Sequence, residues 1–188
     1  MSTGGCMAED KPLRADARRN REAILAAARS VFEHDEQLRF DDFAARAGVG
    51  VGTLYRHFPT REALAAAVYR GEVAALCERG RASSLPPAEA LETFLRAFVD
   101  YVLEHAPLAR TLAGIVDDAA RAEGGSELER TLTDLMSRGV AAGTLRDDVS
   151  ARAVMMALHG IGAAADGPRR ATDAREVASL LARGLRVA

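Results

Sequence analysis

FDDFAARAGVGVGTLYRHFPTREAL, residues 40–64, decides the fold. Asp41 and Asp42 suit a helix start, where carboxylates meet the positive end of the backbone dipole. Gly48 suits its end, where the chain must turn left-handed. After the Gly48-Val49-Gly50 link a third helix runs from Val51 to Phe58. Pro59 ends it, because proline disfavours the α conformation in the residue before it. Two short helices so closely joined make a helix-turn-helix. Phe40, Phe43, Ala44, Val49, Leu54 and Phe58 are spaced to form a small core against a preceding helix, while Ala44 and Ala47 are small where backbones approach. Gly52, Thr53, Tyr55, Arg56 and His57 are left on the outer side. A glycine inside a helix costs about 1 kcal/mol in propensity, and close approach to a phosphate or base edge is a reason to place one at Gly52.

Working towards the N-terminus, Ile24, Ala28, Val31 and Phe32 recur at helical spacing behind Asp16, a candidate N-cap, so a first helix is expected from Asp16 to about His34. Residues 1–15 mix small, charged and proline residues and read as a mobile arm. Arg14, Arg18 and Arg19 at its end could track a phosphate backbone or simply be solvated.

Towards the C-terminus, Thr60 caps a fourth helix with Leu64, Val68, Gly71 and Ala75 on one face, running to about Gly80. After SSLPP, the spacing of Leu91, Phe94, Leu95, Phe98 and Val102 predicts a fifth helix, which Pro107 divides from a sixth over 108–120. Gly124-Gly125 is expected to break the chain before a capping box, Ser126 with Glu129, opens a seventh helix that Gly143 ends. Two last helices, about 148–165 and 172–186, flank the breaker-rich ADGPRR. Their faces, Val154, Met155, Leu158 and Ile161, then Val177, Leu180, Leu181 and Gly184, either complete the monomer core or meet a second copy.

Composition bounds the function. Aromatics are only 5% and tryptophan is absent while alanine, leucine and arginine dominate, which favours helices over sheet. Net charge is −2, yet residues 11–61 hold ten Lys/Arg against seven Asp/Glu, so a modest basic surplus sits on the helix-turn-helix part. Cys6 and Cys77 make neither a disulfide framework nor metal-ligand spacing, which fits a reducing cytoplasm. Apolar runs are too short to span a bilayer, so no export and no membrane partner are expected. His34, His57, His105 and His159 fall on different helices without a Cys or His partner, which argues against an enzyme, a metal site or a bound cofactor. AGVGVG lacks the preceding strand and following Lys-Ser/Thr of a nucleotide loop.

A recognition helix needs hydroxyls, amides and basic groups that reach phosphates and base edges. Thr53, Tyr55, His57 and Arg61 supply such groups, although short helix pairs also occur as plain structure and Tyr55 could be partly core. The stretch closely resembles the helix-turn-helix of the TetR (tetracycline-repressor-like) family, in which A-x-x-A-G-V-x-x-G-T-x-Y-x-H/Y-F is followed by Lys/Arg-Glu-x-Leu. The resemblance implies base or phosphate contacts by Gly50, Val51, Gly52, Thr53, Tyr55 and His57, and a phosphate contact by Arg61. It also implies a homodimer through the last two helices and an unknown small-molecule effector. Two departures stand out: Arg39 replaces the usual Ser/Thr cap, so the cap passes to Asp41 and Arg39 is free to reach the DNA backbone, and Gly50 replaces a serine.

The expected protein is therefore all-α with about nine helices. Residues 1–15 are the arm, 16–61 a three-helix DNA-binding domain and 62–188 a helical ligand-binding and dimerisation domain. The expected function is that of a cytoplasmic, ligand-released repressor binding a palindromic double-stranded DNA operator as a dimer. The alternative is a helical ligand-binding or interaction protein that has lost DNA binding. Phe94, Phe98, Tyr101, Leu112, Ile115, Met136 and Met155, the bulky groups of the central helices, are candidates for the pocket or the core.

Overall fold

The computed structural model describes residues 10–34, 36, 38–104, 106–163 and 167–187. Nine helices are present among them: α1 (Asp10–Glu33), α2 (Asp42–Arg46), α3 (Val51–His57), α4 (Arg61–Arg81), α5 (Pro87–Glu104), α6 (Ala106–Ile115), α7 (Asp118–Ala141), α8 (Ala151–Ala163) and α9 (Arg170–Gly184). The β structure described is one isolated antiparallel bridge, Leu145 with Arg186. No described helix is long and apolar enough to cross a membrane.

Two apolar cores organise these helices. The first gathers Ile24, Ala28, Val31 and Phe32 of α1, Phe43 and Ala44 of α2, Leu54 of α3 and Leu64 to Val68 of α4. It also takes in Leu108, Leu112 and Val116 of the α6 region. The second is built from the far half of α4 with α5, α7, α8 and α9, around Leu76, Leu91, Leu95, Leu132, Leu135 and Leu158. Tyr69, midway along α4, packs against both.

Three local expectations are corrected. The first helix begins at Asp10 instead of Asp16, taking in residues 10–15 of the expected arm, while residues 1–9 lie outside the described residues. Pro12 is tolerated because it falls in the first turn, where backbone N–H groups have no helical acceptor. Farther on, pairs of Arg19 with Asp16 and Arg18 with Glu22 line one side.

The second correction concerns α7. It runs unbroken through Gly124 and Gly125, opened by Asp117, whose Oδ1 accepts from the Ala120 N–H at 2.7 Å. The expected capping box does not form; the Ser126 hydroxyl lies inside the helix and donates to the Ala122 carbonyl at 2.8 Å. Gly124 is a packing residue, because a Cβ there would stand 2.7 Å from the Tyr69 ring.

Third, the expected Leu64-Val68-Gly71-Ala75 face of α4 is not continuous. Leu64 and Val68 are buried, Gly71 and Ala75 are exposed, and Val73, Leu76, Cys77 and Gly80 are buried instead. Thr60 caps α4 as expected, accepting from the Ala63 N–H at 3.1 Å.

Gly143 does end α7, with φ of 67°. The chain then folds back, Thr144 donating to the Gly139 carbonyl at 2.9 Å, so that Leu145 covers Gly139. Arg146 N–H to the Leu185 carbonyl (3.0 Å) and Val187 N–H to the Thr144 carbonyl (3.2 Å) bind the end of the chain to this turn.

A methyl at Gly139 would overlap Leu145, whereas one at Gly125 meets nothing within 4 Å. In urea unfolding, Gly139→Ala should therefore lower stability by about 1–3 kcal/mol despite its better helix propensity. Gly125→Ala should raise stability by up to about 1 kcal/mol. Equal shifts of the same sign would show that helix propensity alone governs α7.

Candidate functional site

The turn between α2 and α3 is set by Gly48 at φ 68°, while the Val49 N–H returns to the Ala44 carbonyl at 2.9 Å. Gly50 is extended and its carbonyl accepts from Thr53 (2.9 Å) and Leu54 (3.1 Å), starting α3. Leu54 and Phe58 point into the first core, fixing the rotation of α3. Val51 and Tyr55, one turn apart, are then each 46% exposed. Gly52 and Arg56 are exposed beside them, with Thr53 and His57 half-buried at the edges.

Polar contacts steady this face. The Tyr55 hydroxyl donates to Asp41 Oδ1 at 2.8 Å, and its ring meets Phe40 edge-on at 5.2 Å. The bond to that carboxylate raises the phenol pKa above its ordinary value. Asp41 is thereby engaged by α3 and makes no side-chain cap for α2. Asp42 Oδ2 accepts from the Arg39 N–H at 3.2 Å instead, correcting the cap assignment. Arg39 is exposed. Arg56, which the sequence reading left without a role, lies along α3: Nε donates to the Gly52 carbonyl (3.1 Å) and Nη2 to Thr53 Oγ1 (3.0 Å).

Arg61 departs from expectation. Its guanidinium carbon sits 5.4 Å from the Phe32 ring centre and 5.2 Å from that of Phe43, and Nη1 donates to the Leu38 carbonyl at 2.6 Å. The group is half-buried between α1 and α2 and braces the start of α4 against both. The seat gives Arg61 a structural role beside the phosphate contact that the resemblance implies.

A cavity of about 350 Å³ is lined by residues of both cores. Its lining comes from five helices: Tyr69, Val73 and Leu76 of α4; Phe98, Tyr101 and Val102 of α5; Leu112 of α6 with Val116; Arg121, Gly125 and Leu128 of α7; and His159 of α8. Of the expected pocket residues it contains Phe98, Tyr101 and Leu112. The others stand elsewhere. Phe94 fills the space beside Gly80, Met136 and Met155 pack in the second core, and Ile115 packs on the first. Tyr69, Arg121 and His159 were not foreseen; Arg121 falls between the expected sixth and seventh helices, whereas α7 begins at Asp118 and includes it. Burial, and secondarily the charge of Glu72, raises the Tyr101 pKa, so its phenol stays protonated.

On α8 and α9, Ala174, Ala178 and Ala182 face the second core, while Met156 (71% exposed), Leu180 (59%) and Val177 face outward. Among the described residues no three His, Cys, Asp or Glu side chains converge in a metal-binding arrangement. His105 lies outside the described residues.

A helix-turn-helix on a helical domain with its own cavity defines a class of one-chain DNA-binding regulators. Residues 24–68 match the bacterial regulatory proteins of the tetR family, and residues 86–187 match the C-terminal domain of SbtR-like transcriptional regulators. The crystal structure of TetR transcriptional regulator SCO0520 from Streptomyces coelicolor is 38% identical. It matches over 88% of this chain and 98% of that one, with a TM-score of 0.70. A TetR transcription regulatory protein from Mycobacterium vanbaalenii is 33% identical over 94% of this chain and 100% of that one, with a TM-score of 0.71. The HTH-type transcriptional regulator SAR0097 of Staphylococcus aureus (strain MRSA252) is 40% identical over 58 residues, 29% of this chain and 30% of that protein's length. The chain belongs to the TetR family of transcriptional regulators.

Arg61→Ala should lower unfolding free energy by about 1–3 kcal/mol, through loss of two ring contacts and a charged hydrogen bond. If bracing is its whole role, the slope of log affinity against log salt for DNA should stay unchanged. A slope reduced by about one ion at unchanged stability would restore the phosphate role.

Proposed function

We propose that the protein is a dimeric, ligand-released repressor that reads a palindromic operator through α3. The observation that carries this reading is the outward set Val51, Gly52, Thr53, Tyr55, Arg56 and His57, held over buried Leu54 and Phe58. An α-helix fits the major groove. A face with a small apolar group, a backbone left bare at Gly52, a phenol and a guanidinium offers both base-edge and phosphate partners. Arg39 and Gly50 flank it as backbone contacts.

A single recognition helix of seven residues reads few base pairs, so two copies are needed for operator specificity. Met156, Val177 and Leu180 supply the face on which α8 and α9 meet the same helices of a second copy, since apolar side chains this exposed are a reason to associate. The cavity holds the effector. Leu112 and Val116 line it and also belong to the core that seats α3, so an occupant has a route to the DNA-reading end. Effector and operator are then reciprocal antagonists.

The central experiment selects duplexes from a randomised pool with the wild type and a Thr53/Tyr55/His57 triple-alanine variant. The wild type should enrich a palindrome whose half-sites lie about one helical turn, or a multiple of it, apart, and the variant should not. Arg56→Ala, which spares the fold, should change the preferred base at one position of each half-site. No enrichment by a folded wild type would move the function to a ligand-binding relative that has lost DNA recognition.

Dimerisation is tested separately. Sedimentation at micromolar concentration should give twice the chain mass, and Met156→Glu with Leu180→Glu should give one chain mass with unchanged helicity. A wild type that sediments as one chain would remove the α8–α9 interface.

A further inference from the structure

The lining of the cavity is selective in charge as well as size. Its volume, about 350 Å³, stands at the small end of ligand sites, which run from about 300 to 1,000 Å³. The body of the space is walled by Leu76, Phe98, Leu112, Val116 and Leu128. Every polar side chain on the lining, Tyr69, Tyr101, Arg121 and His159, can donate a hydrogen bond. No carboxylate is among the described lining residues. Glu72 and Glu33 lie near enough to Tyr101 to act on its phenol without lining the cavity, and Glu72 pairs with Arg29 of α1 at 3.2 Å.

Arg121 is the charged member. It pairs with Asp118 at 2.5 Å, but that carboxylate is 98% exposed, and an ion pair in full solvent contributes little. Exchanging it for an anion whose body is seated against the apolar walls gives a charge-assisted bond at the rim of the cavity, with the apolar burial added to it. A cationic occupant would meet Arg121 with no acidic lining group to offset it, and would be desolvated at a loss.

We propose that the effector is a small organic acid, an aromatic or branched apolar body bearing one carboxylate, whose anion is held by Arg121 at the α7 side of the cavity. This assignment rests on the effector reading of the cavity. The phenol of Tyr69 lies close enough to Arg121 to feel its charge, and supplies a neutral donor beside the same anion.

The test uses three probes of one shape and different charge: 2-naphthoate, 2-naphthamide and 2-naphthylmethylamine. The chain has no tryptophan, so naphthalene fluorescence reports binding without interference from indole. 2-Naphthoate should bind the full-length protein at least about tenfold more tightly than the amide, with the amine weakest. Arg121→Gln should bring the acid to the level of the amide and leave the amide unchanged, and Arg121→Lys should restore part of the preference. Equal binding of acid and amide, preference for the amine, an acid preference that survives in Arg121→Gln, or no binding of any probe would overturn the assignment.

Release of the selected operator duplex is measured alongside. Arginine-dependent binding of naphthoate with no effect on DNA affinity would keep the acid site and remove the effector reading. Release by the amide or the amine, and not by naphthoate, would keep the effector reading and remove the acid.

Discussion

One helix is buried twice, and the rest of the structure is arranged by that constraint. The first turns of α4, Leu64 to Val68, are enclosed by the core that holds α1, α2 and α3, while Val73, Leu76, Cys77 and Gly80 are enclosed with α5 and α7. Nine residues separate Leu64 from Val73, about two and a half turns, which places them on opposite sides of the helix. A single amphipathic stripe could not serve both cores. The small residues of the first half, Ala65, Ala66 and Ala67, allow neighbours on nearly every side, and Gly80 lets the Phe94 ring approach the far end. α4 is thereby a shared strut, unable to shift in one core without disturbing the other.

The helix-turn-helix depends on that strut because α3 cannot stand alone. Helices shorter than about 12 residues are marginal in water, and α3 has seven. Burial of Leu54, on the order of 2 kcal/mol, together with Phe58 anchors its inner side. The Tyr55–Asp41 bond ties its outer side to the start of α2. Arg61 then closes the module by joining Phe32, Phe43 and the Leu38 carbonyl to the first turn of α4. Ordering that is complete before DNA arrives does not have to be supplied by the binding energy.

Much of this was legible in the sequence, for identifiable reasons. Gly48, Pro59 and Thr60 are punctuation with one local meaning each, and the boundaries of α3 and α4 follow from them. What escaped were features whose meaning is tertiary. Gly124-Gly125 has the composition of a break, yet Gly124 is a glycine because Tyr69 of α4 occupies the place of its Cβ, and no local rule reveals a partner 55 positions away. That one misreading also hid Arg121 from the cavity wall. Arg61 matches a family position for which a phosphate contact is implied, but its sequence neighbours do not disclose that two aromatic rings from α1 and α2 converge on it. The exposed Met156 and Leu180 lie on helices whose other residues do fill the core, so periodicity alone left their role open.

The seating of Arg61 bears on how an effector would act if the proposed reading holds. Tyr69 lies eight residues beyond Arg61, about 12 Å along the helix axis. An occupant pressing on Tyr69 and on Leu112 and Val116 meets α4 and the α6 region at once. Leu64 to Val68 already hold the first turns of α4 in the core of α1, α2 and α3, and Arg61 adds a second tie at the very end of the helix. Sandwiched between Phe32 and Phe43, it makes the DNA-reading module follow the end of α4 as one body. Coupling of about 1–3 kcal/mol, or roughly 5- to 150-fold in affinity, then requires no contact between effector and DNA. It requires only that the two recognition helices of a dimer keep their spacing in one state of α4 and lose it in the other, so the tie between α4 and the rings of α1 and α2 sets how much of the motion reaches the DNA.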